Sequence, residues 1–203
     1  MRSSRFEQLL ALAAVFGASL IGSRIIRSHT DRVRVEPLAG GFAILPVPAL
    51  VLGPAHAPTV RVFGDYACPA CRAFEREAGD SLRALASAGL IRIAYYHFPL
   101  GDRRSGRIAA AMVVCAAAAG QGWDAYASHY GSTDPPASAH AGRADDASCV
   151  NDPRTVQLVD TEREQARSAG VREVPAVFLD DARLRFRSFE DVLRHITRRI
   201  EPD

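Results

Sequence analysis

Short apolar runs alternate with longer amphipathic segments over most of this chain. Apolar or β-branched runs bounded by turn residues predict strands at 59–63, 90–96, 174–179 and 183–186. Longer segments with helical spacing or caps predict helices at 72–90, 107–119, 123–130, 153–169 and 188–200. The order strand, helix, strand, helical block, strand, strand, helix predicts an α/β fold.

Residues with well-defined end preferences mark several of these helices. Asp152 and Pro153 suit the N-cap and first position of one helix, and Gly170 suits its end. Ser188, followed three residues later by Asp191, suits a capping box at the start of the last helix. Residues 132–142 are rich in Pro, Ser and Ala and predict a loop, and a single helical turn is expected at 145–150.

The N-terminal segment has the pattern of a targeting sequence. Arg2 and Arg5 precede an apolar run at 9–22, and Arg24 and Arg27 follow it. Such a run is short for a membrane span and typical of a signal-peptide core. We therefore assign residues 1–28 to a signal peptide or a retained membrane anchor, and both alternatives stay open. Either one predicts that the rest of the chain lies outside the cytoplasm, in the periplasm or cell envelope, where disulfides persist.

Composition limits the remaining classes. The chain has 203 residues, of which 48% are hydrophobic and 24% are charged, so it can bury one good core. We assign that core to residues 59–203 and treat 29–58 as an N-terminal extension, with an edge strand at 32–35 and several prolines. A formal net charge of +2, with no basic stretch carrying aromatic residues, gives no indication of nucleic-acid binding.

The cysteine pair Cys68-Pro69-Ala70-Cys71 follows the first predicted strand and precedes the first predicted helix. Three roles are open to such a pair: half of a zinc site, a structural disulfide or a redox centre. A zinc site usually needs two such pairs, and the other two cysteines are isolated. A structural bridge across so short a loop would restrict the unfolded chain little. The pattern favours a redox centre, without metal or cofactor.

Position in the helix assigns different roles to the two sulfurs. Cys68 is expected at the helix N-terminus, where the helix dipole and free backbone N–H groups stabilise a thiolate. Cys71 is expected one turn inside and shielded. We therefore predict that Cys68 is the attacking sulfur and lies open to solvent. Ala70 adds neither charge nor a side-chain donor, so an intermediate oxidising strength is expected.

Two segments resemble the DsbA-like thiol–disulfide oxidoreductases, a branch of the thioredoxin superfamily. The first runs from Gly53 to Cys71, and the second is Gly170-Val171-Arg172-Glu173-Val174-Pro175-Ala176-Val177-Phe178. The helical block between them, at about 102–169, is similar to the inserted helical domain of that family. The resemblance covers about 53–200, and the two motifs in this order are more specific than either alone.

The resemblance implies a thioredoxin-like fold with a helical insertion and a cis peptide bond at Val174–Pro175, facing Cys68 and Cys71. Val174 and Pro175 would then bind an extended substrate segment. It also implies a membrane-embedded redox partner. One position departs from the family pattern: Val62 stands where a buried carboxylate commonly assists the second thiol. Asp65 is nearer but is expected to hydrogen-bond the helix start, which leaves water to handle the proton at Cys71.

Cys115 and Cys149 form the remaining cysteine pair. They could be plain core thiols. An even cysteine count in an exported chain favours a bridge instead. Some DsbA-like members are similar in having a second, non-catalytic disulfide in the helical domain. We therefore expect a structural Cys115–Cys149 disulfide.

The function expected from these features is disulfide exchange with cysteines of other exported proteins, most simply as an oxidase. An extracytoplasmic reductase or isomerase is the alternative within the same chemistry. A non-enzymatic binding module with the same fold is the alternative from another class. Among the histidines, His97 could lie near the active-site end, although a structural role is expected. The sequence leaves substrates, redox partner and oligomeric state open.

Overall fold

The computed structural model describes residues 33–37, 48–101, 104–131 and 144–200. The strands in these ranges are β1 Arg34–Pro37, β2 Leu50–Leu52, β3 Thr59–Gly64, β4 Arg92–His97, β5 Ala176–Leu179 and β6 Ala182–Arg185. The α-helices are α1 Pro69–Phe74, α2 Asp80–Ser87, α3 Arg104–Ala118, α4 Gly122–Gly131, α5 Ala144–Val150, α6 Pro153–Ser168 and α7 Phe189–Ile200. A π-helical turn, Glu75–Gly79, joins α1 to α2.

The described strands form one six-stranded sheet in the order β1-β6-β5-β3-β4-β2. Strands β3 and β4 are parallel and are connected through α1 and α2. The other pairs are antiparallel, including β3 with β5 at the centre of the sheet. The cysteine motif therefore begins where the central strand β3 ends.

Side chains on the two faces of the sheet enter two separate cores. On one face, Val60 and Val62 of β3 pack with residues of α1, α2, α3, α4 and α7. On the other face, Phe63 and Phe178 pack with Ala166 of α6. The alternation along β3 is the period-two pattern of a strand covered on both sides.

Helices α3 to α6 lie between β4 and β5, which is where the sequence predicts the helical block. Small residues allow α3 to pack closely, and its buried positions include Gly106, Ala109, Ala110 and Val113. Asp152 caps α6 as predicted, because its side chain accepts a hydrogen bond from the Arg154 N–H at 2.7 Å. The α/β prediction with a helical block is confirmed.

Two features of the fold were not predicted. Strand β2 pairs with β4 at one edge of the sheet, so the N-terminal extension supplies strands to both edges. The redox helix also changes to a π-helical turn at Glu75–Gly79. A Cβ at Gly79 would lie 2.3 Å from the Glu75 carboxyl group, so glycine leaves room for this buried carboxylate. Local sequence preferences indicate neither the pairing of β2 with β4 nor the close approach of Gly79 to Glu75.

The predicted signal or anchor segment, residues 1–28, lies outside the described residues, as do the whole predicted loop at 132–142 and part of the extension. Over the described ranges, no helix combines the length and apolar character needed to cross a membrane.

Candidate active site

The cysteine pair lies at the start of the helix that follows β3. Cys68 is the N-cap of α1, with φ −89° and ψ 120°, and Pro69 takes up the first helical position. Proline is suited to that position because it lacks only an N–H that would have no helical partner. Cys71 lies in the first turn of the same helix. Both cysteines are free thiols, so the structure is that of the dithiol form.

Both sulfur-bearing residues are more enclosed than expected. Cys68 is 5% exposed and Cys71 is 2% exposed. The prediction that Cys68 lies open to solvent is therefore wrong, while the shielding of Cys71 is confirmed. The reason is packing, since both residues belong to the main core together with residues of the helical block.

The pKa values of the two thiols nevertheless differ in the predicted direction, lowered for Cys68 and raised for Cys71. A hydrogen bond from the Cys71 thiol lowers the pKa of Cys68 to about 6; burial opposes this, and the backbone N–H groups of Cys71 and Ala70 add to it. The same hydrogen bond, together with burial and the charge on Cys68, raises the pKa of Cys71 far above its usual range. Cys68 is therefore the thiolate at neutral pH, and Cys71 keeps its proton.

The segment before β5 completes the site. The Val174–Pro175 peptide bond is cis, and the Val174 carbonyl oxygen lies 3.8 Å from the Cys68 Sγ. Val174 and Pro175 are half-buried, so part of each faces solvent beside the sulfur. The two motifs are 106 residues apart in sequence, and β5 pairing with β3 brings them together.

Asp65 stabilises the turn that carries the cysteines. Its buried carboxylate accepts hydrogen bonds from the Ala67 N–H at 2.9 Å and the Leu100 N–H at 3.0 Å. A Cβ at Gly106 would lie 2.3 Å from Asp65 Oδ1, so α3 approaches this carboxylate through a glycine. Asp65 thus links the cysteine turn to the segment after β4 and to α3, a wider role than the expected contact with the helix start.

A buried cluster of tyrosines behind the cysteines was missed in the sequence. Tyr66, Tyr95, Tyr126 and Tyr130 are each at most 5% exposed, and their rings contact one another. The sequence signal was the spacing of Tyr126 and Tyr130, four residues apart on one helix. That spacing alone does not show which strand residues face them.

His97 lies at the edge of this cluster and is fully buried. Its Nδ1 is 2.8 Å from Glu162 Oε2, and its Nε2 is 3.2 Å from the Tyr66 hydroxyl. Glu162 is also fully buried, on α6. His97 therefore connects β4, the cysteine turn and the helical block, and Glu162 had no distinguishing sequence signal.

The other two cysteines form a disulfide. Cys115 of α3 and Cys149 of α5 are joined, with Cα atoms 6.1 Å apart and a separation of 34 positions in sequence. The bridge lies within the helical block. In the described part of the chain, no three His, Cys, Asp or Glu side chains are grouped so that they could hold a metal ion.

A thiolate paired with a shielded thiol, next to a cis-proline segment on this fold, defines a thiol–disulfide oxidoreductase. The family model described as Thioredoxin matches residues 47–198, and the chain belongs to that family. The same fold occurs in solved structures of DsbA and BdbD proteins.

Solved structures match the fold at low sequence identity. BdbD from Bacillus subtilis, in its oxidised form, matches with a TM-score of 0.65 and 14% identity, over 82% of this chain and 100% of that one. DsbA2 from Pseudomonas aeruginosa matches with a TM-score of 0.56 and 22% identity, over 68% and 82%. A periplasmic thioredoxin-like protein from Salmonella enterica serovar Typhimurium matches with a TM-score of 0.58 and 18% identity, over 78% and 94%. No curated protein sequence matches this chain.

The lowered pKa of Cys68 makes a direct prediction. In the reduced protein, ultraviolet thiolate absorbance should rise with a midpoint near pH 6. Because folding lowers this pKa below the value of about 8.5 for a free thiol, the thiolate stabilises the folded dithiol form above that value. The stabilisation is lost as the pH falls through about 6. The oxidised protein is the control and should show no such step; a midpoint near that of a free thiol would contradict the assignment.

Proposed function

We propose that the protein is an exported oxidase that introduces disulfides into other exported proteins. The main support is the opposite shift of the two pKa values, which leaves Cys68 a thiolate and Cys71 protonated. The Cys68 sulfur also lies beside the Val174 carbonyl group. A stabilised Cys68 thiolate favours the dithiol form, and a protein that prefers its dithiol form is an oxidant of other thiols.

The exchange uses the groups at this site in sequence. A substrate thiolate attacks Cys68 Sγ in the Cys68–Cys71 disulfide, and Cys71 leaves as a thiolate that takes up a proton. The second thiolate of the substrate attacks its own sulfur in the mixed disulfide. The substrate disulfide forms, and Cys68 leaves as a thiolate, so the substrate loses two electrons and the cysteine pair gains them.

Val174 would position the substrate during both attacks. An extended peptide could pair with the backbone at Val174 as an added strand, which would align a substrate cysteine with Cys68. The 3.8 Å separation between the Val174 carbonyl oxygen and Cys68 Sγ supports this role. Pro175 has no backbone N–H and would lie beside the bound segment without pairing with it.

Export is supported by the apolar N-terminal run, and by the description of a matching Salmonella protein as periplasmic. Residues 1–28 would act as signal or membrane anchor. Reoxidation would then require a partner outside the cytoplasm, and the family resemblance implies that this partner would be embedded in the membrane.

A reductase or isomerase is the second candidate, and the reduction potential of the Cys68–Cys71 pair decides between them. A pKa near 6 lies between about 7 for thioredoxin and about 3.5 for DsbA. We therefore expect a potential between about −270 and about −120 mV, the values of those two proteins. Equilibration with glutathione redox buffers, read by alkylation and mass, measures it. A value below about −270 mV would favour the reductase.

A further inference from the structure

The position that lacks a carboxylate, Val62, lies beside a tyrosine of the neighbouring strand. Val62 pairs in register with Tyr95 on the parallel strand β4, so both side chains project from the same face of the sheet. The Tyr95 hydroxyl lies 2.6 Å from the Tyr130 hydroxyl. A Cβ at Gly64 would lie 2.5 Å from the first oxygen and 2.9 Å from the second. The two hydroxyls therefore lie against the end of β3, close to the turn that carries the cysteines.

Tyr66, whose ring packs against those of Tyr95 and Tyr130 with centroids 5.8 and 4.8 Å apart, leads on through polar contacts to a buried carboxyl group. Burial raises the pKa of Tyr66 well above its usual value, and a hydrogen bond with the Tyr95 side chain acts against this rise. The Tyr66 hydroxyl lies 3.2 Å from His97 Nε2, and His97 Nδ1 lies 2.8 Å from Glu162 Oε2. His97 and Glu162 have no exposed surface.

The members of this series differ in what they can do with a proton. Burial raises the pKa of Tyr95 and Tyr130 well above the usual value, so both stay neutral and can only pass a proton on. Cys71 packs in the same buried cluster as Tyr95 and Tyr130, and a thiolate at Cys71 would add to both rises. His97 and Glu162 can hold a proton. Glu162 Oε1 accepts no hydrogen bond from any residue that the structure describes.

The other ionisable groups nearby have different contacts. Asp65, whose charge also acts on Cys71, accepts backbone N–H bonds at both of its oxygens. Glu75 accepts from the Tyr126 hydroxyl at 2.8 Å and pairs with Arg83. The ring of His129 packs against Tyr66 with centroids 5.4 Å apart.

We propose that Tyr130, Tyr95, Tyr66, His97 and Glu162 form a proton relay that serves Cys71 in place of the carboxylate missing at position 62. This proposal rests on the proposed exchange chemistry at Cys68 and Cys71. The relay brings a proton acceptor from the inserted helical block, on α6, to a thiol of the thioredoxin core.

The relay acts when the cysteine pair is reoxidised. Cys68 thiolate attacks one sulfur of an oxidant disulfide, forms a mixed disulfide and releases one thiolate. Cys71 then gives its proton to the relay, and its thiolate attacks Cys68 Sγ. The Cys68–Cys71 bond forms, the bond from Cys68 to the oxidant breaks, and the oxidant leaves as a second thiolate carrying the second electron. The proton stays on the His97–Glu162 pair. It returns to Cys71 when a substrate thiolate opens the disulfide and Cys71 leaves as a thiolate.

The test follows the two steps separately with glutathione disulfide as oxidant and the full reduced chain. Acid quenching, alkylation and mass spectrometry count the mixed disulfide and the closed Cys68–Cys71 bridge over time. In Tyr95→Phe, Tyr130→Phe and Glu162→Gln, mixed-disulfide formation should stay within about twofold of wild type. Ring closure should slow by about 100-fold, the lower end of the range for general acid–base catalysis.

Tyr126→Phe is the matched control, because Tyr126 packs in the same cluster but donates its hydroxyl to Glu75. It should close at the wild-type rate. Closure at the wild-type rate in both Tyr95→Phe and Glu162→Gln, or equal slowing in Tyr126→Phe, would overturn the relay. Oxidation of a reduced protein substrate is measured in parallel. Its absence would count against the proposed function, whereas ring closure with glutathione disulfide still reports on the relay.

Discussion

The Cys68→Ser variant should have no measurable disulfide exchange, whereas Cys71→Ser should accumulate a stable mixed disulfide. A serine hydroxyl cannot form a disulfide, so the first variant keeps only Cys71. That thiol is 2% exposed, and burial still raises its pKa when Cys68 is gone. Its reaction with glutathione disulfide should therefore be at least about 100-fold slower than that of wild-type Cys68, because the thiolate is the nucleophile.

The Cys71→Ser variant keeps the nucleophile and loses the group that resolves the mixed disulfide. Cys68 should react with glutathione disulfide and gain the mass of one glutathione, with no later release. Rapid alkylation followed by mass spectrometry distinguishes the two variants. Both substitutions change one sulfur to oxygen at neighbouring positions, so each is the control for the other.

The same pair of variants decides between the enzyme and the binding module. If Cys68→Ser retains the biological role of the protein, disulfide exchange is not that role, and the binding module becomes the better account. Rapid reaction of the remaining thiol in Cys68→Ser would instead show that the roles of the two sulfurs are reversed.

The parts of the fold that local physics determines were predictable from the sequence. Asp152 and Pro153 mark the start of α6 because a side-chain acceptor and a missing N–H suit that position in any helix. The roles of the two cysteines were likewise predictable, because a place at the helix start favours the Cys68 thiolate, although the hydrogen bond from Cys71 lowers its pKa most. The Thr59–Gly64 strand was expected as 59–63, since apolar residues that enter cores on both faces leave a clear pattern.

The relay residues were not predictable, because their proximity depends on pairings that a single sequence does not reveal. Tyr95 is next to Val62 only through the β3–β4 register. A shift of one residue would turn Tyr95 to the opposite face. Glu162 reaches His97 only after α6 docks on the sheet, across 65 residues of sequence. The prediction that Cys68 is exposed was wrong for the same reason, because the docking of the helical block determines how much of Cys68 faces solvent.

Removal of the second disulfide should produce the largest loss of stability. The Cys115–Cys149 bridge closes a loop of 34 residues between α3 and α5. In the chain-entropy account, releasing such a loop lowers the free energy of unfolding by about 3–4 kcal/mol. For a chain of this size, that corresponds to a melting temperature lower by about 10 °C. The Cys115→Ala/Cys149→Ala double variant, unfolded in guanidinium chloride, measures it.

A matched control separates the covalent bond from the packing around it. The Thr155 hydroxyl lies 3.7 Å from Cys149 Sγ and 4.0 Å from Cys115 Sγ. Thr155→Val removes this contact and leaves the bridge, so it should cost at most about 1 kcal/mol. A loss of about 1 kcal/mol or less in the double cysteine variant would contradict a structural role for the bridge.

Because Cys149 lies shortly before α6, the bridge also tethers the start of the helix that carries Glu162. Ring closure at Cys68–Cys71 in the double variant should therefore slow more than the first attack by Cys68, which needs no residue of α6.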